Sequence, residues 1–299
     1  MSELAKIALI GFGEVGSILA GELSALGVER LAAWDPLFAD PASRPSRNAA
    51  ALGVEAAASG PAAAAGACLV ISAVTAAQAL DAASAVAGGF GDGFFLDLNS
   101  ASPGVKAEAG RRIEAAGGRY VEAAVMSSVP GKGLKTPMLL GGAHAADFLQ
   151  FAGPLGLKAE VFSETVGLAS ATKMCRSVMI KGTEALLAEC LITARRYGVE
   201  RTVLGSLSDM LPNDDWERLA RYMISRSLAH GKRRAEEMRE VARTVQEAGL
   251  EPWMSRAAAE RQDWAWAQGQ ALGPGAAEAP DLDGMLDLLL TGLAKAAAE

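Results

Sequence analysis

Three glycines near the start of the chain have the spacing of a phosphate-binding turn. The segment Gly11-Phe12-Gly13-Glu14-Val15-Gly16 has the pattern Gly-x-Gly-x-x-Gly. In this pattern the first glycine permits a tight turn, the second lets a pyrophosphate approach the backbone, and the third lets a helix pack closely on a strand. The free N–H groups of that helix attract phosphate oxygens. We therefore expect all six residues to bind a dinucleotide.

An acidic residue stands where such a site binds the adenosine ribose. Asp35 follows Gly16 by 19 residues, which is the approximate spacing of the carboxylate that binds the ribose hydroxyls. Because a carboxylate there would repel the 2′-phosphate of NADP, Asp35 favours NAD as the cofactor. Arg44 and Arg47 in the following segment leave NADP open as the alternative.

Polar residues follow three of the later predicted strands. Ligands of parallel sheets lie beyond the carboxyl ends of the strands, so reacting groups are expected in these loops. Val74 and Thr75 follow one strand and are expected near the nicotinamide ribose. The segments 97–103 and 125–131 follow the next two strands, and they supply Asn99, Ser100, Ser127 and Ser128. We expect Asn99 to contact the cofactor as well as the substrate. Such hydroxyls and amides suit a small oxygen-rich substrate, although these residue types also fill turns without a functional role.

Lys173 is the candidate proton acceptor. It is the only charged residue between Val166 and Cys175, so we expect small or apolar surroundings. Desolvation disfavours an ammonium ion and lowers the pKa of a lysine, which suits general acid–base chemistry. Arg176 and Ser177 share its helix face at spacings i+3 and i+4. A lone lysine on a helix is also commonly a solvated surface residue.

Strands and helices must alternate along the first half of the chain to position these groups. Buried strands are predicted at residues 6–10, 31–34, 68–74, 94–98, 120–123 and 138–140, with helical stretches between them. This alternation predicts an α/β Rossmann-type domain with a mostly parallel sheet covered on both faces. Only helices are predicted from residue 164. We therefore expect a dinucleotide-binding domain over 1–163 and an all-α substrate and dimerisation domain over 164–299.

A long interdomain helix is predicted to join the two domains. It runs over residues 169–197, which contain no proline. Further helices are predicted at residues 200–209, 213–228 with Asn213 as the N-cap, 232–248, 252–268 and 281–297. Capping residues and glycine stops set these boundaries.

The composition excludes several classes of function. A net charge of −7 argues against nucleic acid, whose binding needs a basic surface. No apolar run approaches the roughly 20 residues that cross a bilayer, and no secretory signal precedes the first strand. The three cysteines and two histidines lack the spacing of metal ligands, so no metal site is predicted. We expect a cytoplasmic protein whose partner is a small molecule, with neither nucleic acid nor membrane involved.

Taken together, the motifs resemble those of the β-hydroxyacid dehydrogenase superfamily, which includes 3-hydroxyisobutyrate and 6-phosphogluconate dehydrogenases. The resemblance covers nearly the whole chain. Segment 11–16 resembles the cofactor motif, 97–103 the substrate motif, 122–133 with 141–142 the next block, and Gly167 with Lys173 the catalytic helix. The resemblance implies that Lys173 is the general acid/base and that Asn99 polarises the substrate oxygen. It also implies that Ser100, Ser127 and Ser128 hold the substrate, and that the protein is a homodimer.

The chain departs from the usual family pattern in three places. Met126-Ser127-Ser128 stands where Ser-Gly-Gly usually binds the substrate carboxylate. Arg176 and Ser177 stand where an asparagine usually follows the lysine, and we expect them to contribute to substrate binding, Arg176 by pairing with a carboxylate. The stretch 230–254 resembles a divergent branch with its own C-terminal domain type. These departures leave the substrate unidentified.

The predicted function is hydride transfer between a nicotinamide cofactor and a small β-hydroxy acid. Oxidative decarboxylation of a 3-hydroxy acid is the alternative within the same chemistry. Imine reduction on this scaffold is a further alternative, against which the presence of Lys173 counts. A catalytically silent NAD(H)-sensing protein is the alternative of another class.

Overall fold

The structure, a computed structural model, describes residues 6–210 and 215–296. The chain forms two compact units, residues 1–174 and 175–299. The division therefore falls inside a helix, later in the chain than the expected boundary at residue 163. The first turns of that helix belong to the first unit because their backbone is hydrogen-bonded to Glu122 of the sheet.

The first unit alternates strands and helices. Its strands are β1 (Ile7–Ile10), β2 (Leu31–Trp34), β3 (Glu55–Ala56), β4 (Leu69–Ser72), β5 (Phe94–Asp97), β6 (Arg119–Val125), β7 (Met138–Gly141) and β8 (Ala159–Ser163). Its helices are α1 (Glu14–Ala25), α2 (Arg44–Leu52), α3 (Gly60–Ala64), α4 (Ala79–Ala87), α5 (Pro103–Ala115) and α6 (Ala145–Phe151). The sequence did not predict β3, which has two residues, or β8, whose residues are partly or fully exposed.

Among the described residues, eight strands form one sheet in the order β3-β2-β1-β4-β5-β6-β7-β8. Neighbouring strands are parallel except for the antiparallel pair β6–β7. The prediction of a mostly parallel Rossmann-type sheet is confirmed. Successive strands extend to one side of β1 through β3 and to the other side from β4. The crevice beyond the carboxyl ends of β1 and β4 is thus the topological switch point, where ligands of such sheets bind.

The sheet is buried on both faces. Ile7 and Leu9 of β1 pack in one cluster with Leu19 of α1. Ala8 and Ile10 point to the other face and join a separate cluster. Alternate residues of a strand point to opposite faces of the sheet, so a strand that is apolar throughout has both of its faces buried. The central strands therefore give the loops that follow them a rigid support.

The second unit is helical, as predicted. Its elements are the remainder of α7 (Leu168–Tyr197), followed by α8 (Glu200–Met210), α9 (Trp216–Glu247), α10 (Trp253–Leu272) and α11 (Leu282–Ala296). Leu191, Ile224 and Leu286 lie in its apolar core. None of the helices in the described part of the chain has the length and apolar character needed to cross a bilayer.

One continuous helix replaces two predicted ones in the second unit. The sequence predicted a break near Gly231, but α9 runs through it. A Cβ atom at Gly231 would collide with the carbonyl oxygen of Gln262 on α10, and one at Gly269 would lie 2.6 Å from the carbonyl oxygen of Leu228. These glycines let the two helix backbones approach closely. The helix begins after Asp215, whose carboxylate accepts a hydrogen bond from the backbone N–H of Arg218, and the predicted cap Asn213 lies outside the described residues.

Candidate active site

The glycine turn follows β1 and opens α1, at the switch point of the sheet. Gly11 has a φ of +90°, and a Cβ atom there would lie 2.6 Å from the carbonyl oxygen of Ala73 in the loop after β4. A Cβ atom at Gly16 would collide with the carbonyl oxygen of Gly11. Only glycine fits these two positions, the first for its conformation and both for space. The turn is therefore pressed against the loop that follows the neighbouring strand.

Gly13 meets the requirement for a pyrophosphate at this turn. A Cβ atom at Gly13 would have no heavy atom within 4 Å among the described residues, so the backbone there is open to a ligand. Gly13 is the N-cap of α1 and makes no side-chain capping bond. The first N–H groups of α1 thus need another acceptor, which phosphate oxygens can provide. The residues of this turn fit a dinucleotide.

Asp35 lies immediately after β2, as predicted, and it braces the glycine turn. Its two carboxylate oxygens accept hydrogen bonds from the backbone N–H of Phe12 at 2.8 Å and of Leu37 at 2.9 Å. Each carboxylate oxygen can accept a further bond from a ribose hydroxyl. The side chain of Phe12 is buried in the core, so of Phe12 only the backbone takes part in the turn. Glu14 is exposed.

Asn99 joins the loops that follow β4 and β5. Its side-chain oxygen accepts a hydrogen bond from the backbone N–H of Val74 at 2.7 Å, and its amide nitrogen donates to the hydroxyl of Ser72 at 2.9 Å. The side chain is 4% exposed. Asn99 therefore fixes the loop on which Val74 and the exposed Thr75 lie.

Lys173 and Ser100 are in direct contact. The Nζ atom of Lys173 donates a hydrogen bond to the Oγ atom of Ser100 at 2.7 Å. Both side chains are half-buried. Ser100 follows β5 by three residues, at the edge of the sheet where ligands bind. The structure thus brings together the predicted proton acceptor and a predicted substrate-binding hydroxyl.

A buried carboxylate holds the helix that carries Lys173. Glu122 on β6 is fully buried. Its carboxylate accepts hydrogen bonds from the backbone N–H groups of Gly167 at 2.7 Å, Ala169 at 3.2 Å and Ser170 at 3.3 Å. These donors are at the start of α7, where intrahelical partners are missing. Glu122 therefore caps α7 from the sheet.

A second buried network orders the loop after β5. Asp97 is fully buried and lies 2.8 Å from the ammonium nitrogen of Lys106. The same carboxylate accepts hydrogen bonds from the backbone N–H of Asn99 and the hydroxyl of Tyr120. Burial, together with the charge of Asp97, raises the pKa of Tyr120 well above its usual value. The phenol of Tyr120 therefore stays a hydrogen-bond donor to Asp97. Through its bond to the backbone of Asn99, Asp97 fixes the loop that leads to Ser100.

The remaining predicted site residues lie on the loop after β6 and near the start of the second unit. Ser127 follows β6 and accepts a hydrogen bond from the ammonium of the exposed Lys132 at 3.1 Å. Ser128 is exposed on the same loop. Arg176 and Ser177 belong to the second unit, where Arg176 is exposed and Ser177 is buried and accepts a hydrogen bond from Lys181 at 3.3 Å. Their predicted part in substrate binding stays a prediction.

Sequence reasoning missed the supporting residues of the site. Glu122, Lys106 and Tyr120 are buried polar side chains. Glu122 and Tyr120 lie on β6, and Lys106 lies on α5, which also carries exposed charged residues. Buried charges are rare unless they are paired. A charged residue inside a predicted strand was the available signal, and Glu122 is such a residue in the segment 120–123.

Comparisons with known proteins agree with this architecture. A domain family described as a domain of unknown function, DUF1932, matches residues 194–265. A conserved hypothetical protein from Sinorhizobium meliloti is 38% identical, with a TM-score of 0.74, over 97% of each chain. The conserved protein MTH1747, described as of unknown function and structurally similar to 3-hydroxyacid dehydrogenases, is 33% identical with a TM-score of 0.67, over 88% of this chain and 99% of that one.

A named dehydrogenase shares the fold. The 3-hydroxyisobutyrate dehydrogenase of Mycobacterium tuberculosis is 19% identical with a TM-score of 0.67, over 96% of this chain and 99% of that one. Identity at this level shows the common fold alone. The match to DUF1932 includes the stretch 230–254 that sets the divergent branch apart, and the resemblance found in the motifs is confirmed. The chain belongs to the β-hydroxyacid dehydrogenase superfamily, in a divergent branch that carries this C-terminal domain type.

Proposed function

We propose that the protein is an NAD-dependent oxidoreductase that transfers hydride between a nicotinamide cofactor and a small β-hydroxy acid. The observation that carries the proposal is the contact between Lys173 and Ser100 beyond β5. It puts an amine at the sheet edge where the ligand of such a sheet binds. The dehydrogenase from Mycobacterium tuberculosis with the same fold is named for 3-hydroxyisobutyrate, which supports a substrate of this class.

The glycine turn is assigned to the cofactor. Gly11, Gly13 and Gly16 with the first turn of α1 would hold the pyrophosphate, and Asp35 the ribose hydroxyls. We assign Val74 and Thr75 to the nicotinamide ribose. The bound nicotinamide would supply the hydride acceptor in oxidation and the hydride donor in reduction. NAD is favoured because Asp35 presents negative charge where NADP carries its 2′-phosphate.

Proton transfer is assigned to Lys173. In the oxidation direction the amine of Lys173 takes the proton from the substrate hydroxyl, and in reduction the ammonium returns it. Ser100 accepts a hydrogen bond from Nζ, which orients the amine toward the loop that receives substrate. Asn99 uses one amide hydrogen for Ser72, and we assign the second to the substrate oxygen, since a primary amide has two.

The substrate carboxylate is assigned to the loop after β6. Ser127 and Ser128 supply hydroxyls there in place of the glycines usual in the family. Lys132 is exposed and donates to Ser127, so its positive charge favours an acid over a neutral alcohol. We therefore expect hydroxy acids to be preferred over the corresponding amides and esters.

A panel of aliphatic and aromatic hydroxy acids tests the proposal, with reduced nicotinamide followed by absorbance. Lys173→Met should lower kcat about 10²- to 10⁴-fold, which is the usual contribution of a general acid–base group. The dissociation constant for NAD, measured by titration calorimetry, should stay unchanged. Lys158→Met is the matched control, because Lys158 is exposed in the same unit.

The same experiment separates the alternatives. Turnover that is unaffected in Lys173→Met would refute the general acid–base assignment. Carbon dioxide released in step with nicotinamide reduction would instead identify oxidative decarboxylation. Tight NAD binding without turnover of any hydroxy acid would favour a sensing protein.

A further inference from the structure

Glu122 caps α7 from a distant part of the chain. Most helix N-caps are local side chains that bind the N–H groups two or three residues ahead. Glu122 lies 45 residues before Gly167 and 48 before Ser170. Its hydrogen bonds therefore fasten the start of α7 to strand β6, in addition to stabilising the helix as such.

The bonds to Glu122 satisfy a carboxylate that is otherwise costly to bury. Three backbone N–H groups point at its oxygens, and the positive end of the helix dipole adds to their attraction. An ionised carboxylate without such donors would be strongly unfavourable in a buried position. This gives the first turn of α7 one well-defined place on the sheet.

A glycine on the neighbouring strand leaves room in the sheet for the side chain of Glu122. Gly141 is the register partner of Glu122 on β7, and a Cβ atom at Gly141 would collide with the carboxylate of Glu122. A second contact supports the same turn, because a Cβ atom at Gly167 would lie 3.3 Å from the Cβ atom of Pro103, the first residue of α5. The start of α7 thus rests on β6 and on α5 together.

Two neighbouring carboxylates hold the two partners of the Lys173–Ser100 pair. Glu122 pairs in register with Asp97 on β5. Asp97 binds the backbone N–H of Asn99, one residue before Ser100. Glu122 binds the backbone N–H of Ser170, three residues before Lys173. A shift of the first turn of α7 by one helical step, about 1.5 Å, would take Nζ of Lys173 out of hydrogen-bond range of Oγ of Ser100 at their present side-chain conformations.

We propose that Glu122 is a positioning residue for proton transfer: it fixes the first turn of α7 on β6 so that Lys173 reaches Ser100. The proposal rests on the assignment of Lys173 as the general acid/base. It differs from a purely structural role because it requires a change at Glu122 to alter the chemistry of the Lys173 amine.

Glu122→Gln is the direct test, since it keeps the size of the side chain but puts an N–H donor where an acceptor is needed. Trace acetylation of all lysines across a pH series, read by mass spectrometry, reports the reactivity of Lys173 relative to the exposed Lys158. We expect this ratio to change by about threefold or more, because the contact with Ser100 is lost. Amide hydrogen exchange over residues 168–174 should become faster. With an active substrate, kcat should fall about 10- to 100-fold, as misplacement of a reacting group predicts.

Two further variants and a control make the test decisive. Glu122→Asp keeps the carboxylate, and its kcat should lie between that of Glu122→Gln and that of the wild type. Gly141→Ala displaces the carboxylate from the opposite side and should change Lys173 in the same direction as Glu122→Gln, which keeps the proposal testable if Glu122→Gln does not fold. Asp215→Asn removes a carboxylate cap from α9 and should lower the melting temperature while leaving Lys173 reactivity and kcat unchanged.

The outcomes separate this proposal from the proposed function. If folded Glu122→Gln or Gly141→Ala keeps the wild-type reactivity of Lys173, Glu122 has no positioning role. If the reactivity changes as expected but no hydroxy acid is turned over by the wild type, the placement of Lys173 by Glu122 is supported and the dehydrogenase assignment is wrong.

Discussion

The Nζ atom of Lys173 and the Oγ atom of Ser100 lie 2.7 Å apart. The two residues come from different elements, one from the first turns of α7 and the other from the loop after β5. Their contact links the motif that supplies a base to the motif that receives a substrate.

Ser100→Ala should reduce kcat without abolishing it. The hydroxyl orients the amine of Lys173, and losing one hydrogen bond to a group of this kind costs about 1.5 kcal/mol, or about tenfold in rate. Ser127→Ala should instead raise KM for the hydroxy acid, because Ser127 is assigned to binding. Steady-state kinetics of both variants would separate effects on kcat from effects on KM. An increase in KM alone for Ser100→Ala would contradict its role in orienting Lys173 and would leave only the predicted role in substrate binding.

Gly13→Ala should mainly weaken NAD binding, whereas Gly16→Ala should mainly lower the stability of the fold. A Cβ atom at Gly13 meets open space, so the free energy of unfolding should change by about 0.5 kcal/mol, while NAD affinity should fall about tenfold or more because the pyrophosphate needs that space. A Cβ atom at Gly16 collides with the Gly11 carbonyl, so this variant should lose about 1–3 kcal/mol of stability. Urea denaturation and calorimetry measure both quantities. Equal stability losses would argue against the assigned roles of these glycines.

Asp35→Ala should shift the cofactor preference toward NADP. The carboxylate that would repel a 2′-phosphate is removed, while Arg44 and Arg47 on the exposed side of α2 remain. NAD affinity should also fall about tenfold, because the glycine turn loses its bond from Phe12 to Asp35. Titration calorimetry of the wild type and Asp35→Ala with NAD and with NADP measures this preference. Tighter binding of NADP than of NAD by the wild type would overturn the NAD assignment.

Arg195→Ala should lower stability at neutral pH more than at acid pH. Hydrogen bonds from its own backbone N–H and from Arg195 lower the pKa of Glu200, and a hydrogen bond from Arg195 lowers the pKa of Asp287. A carboxyl whose pKa is lower in the folded state stabilises that state above its unfolded pKa, and this stabilisation is lost as pH falls through the folded pKa. The ordinary values are 4.5 and 3.8. The difference between wild type and variant in the urea midpoint should therefore be full at about pH 7 and shrink below about pH 4.

Salt provides the control for this prediction. Asp287 is largely exposed, and its contact with Arg195 should be screened by salt. The difference between wild type and Arg195→Ala should decrease as salt is added at neutral pH. A difference that grows toward acid pH would contradict the ionic origin of the effect.

The local parts of the fold could be predicted from the sequence, and its long-range contacts could not. The glycine turn, the strands β1, β2, β4 and β5 and the position of Asp35 follow from residue types close together in the chain. The strand β8 was missed because its residues are mostly exposed and show no alternation. The break predicted at Gly231 was wrong because a glycine within a helix can serve close packing against another helix.

The functional site shows the same limit. Lys173 and Ser100 were each predicted from local patterns, whereas their contact spans 73 residues of sequence. The cap from Glu122 to α7 depends on a strand and a helix whose relative placement no local pattern encodes. Asn99 was predicted to contact both the substrate oxygen and the cofactor. The structure adds that its side-chain oxygen and one amide hydrogen join the loops after β4 and β5.

The close approach of α9 and α10 at Gly231 and Gly269 also bears on the order in which the chain acquires its structure. These two helices form a hairpin with a short connection at residues 248–252, and units rich in such local contacts fold quickly. The central strand pair of the sheet, β1 and β4, forms only when Ile7 meets Leu69, which is distant in the sequence. Contacts of this kind form more slowly than the local contacts of a helical hairpin. We therefore expect the α9–α10 hairpin to acquire its native packing before the sheet does when the unfolded chain refolds.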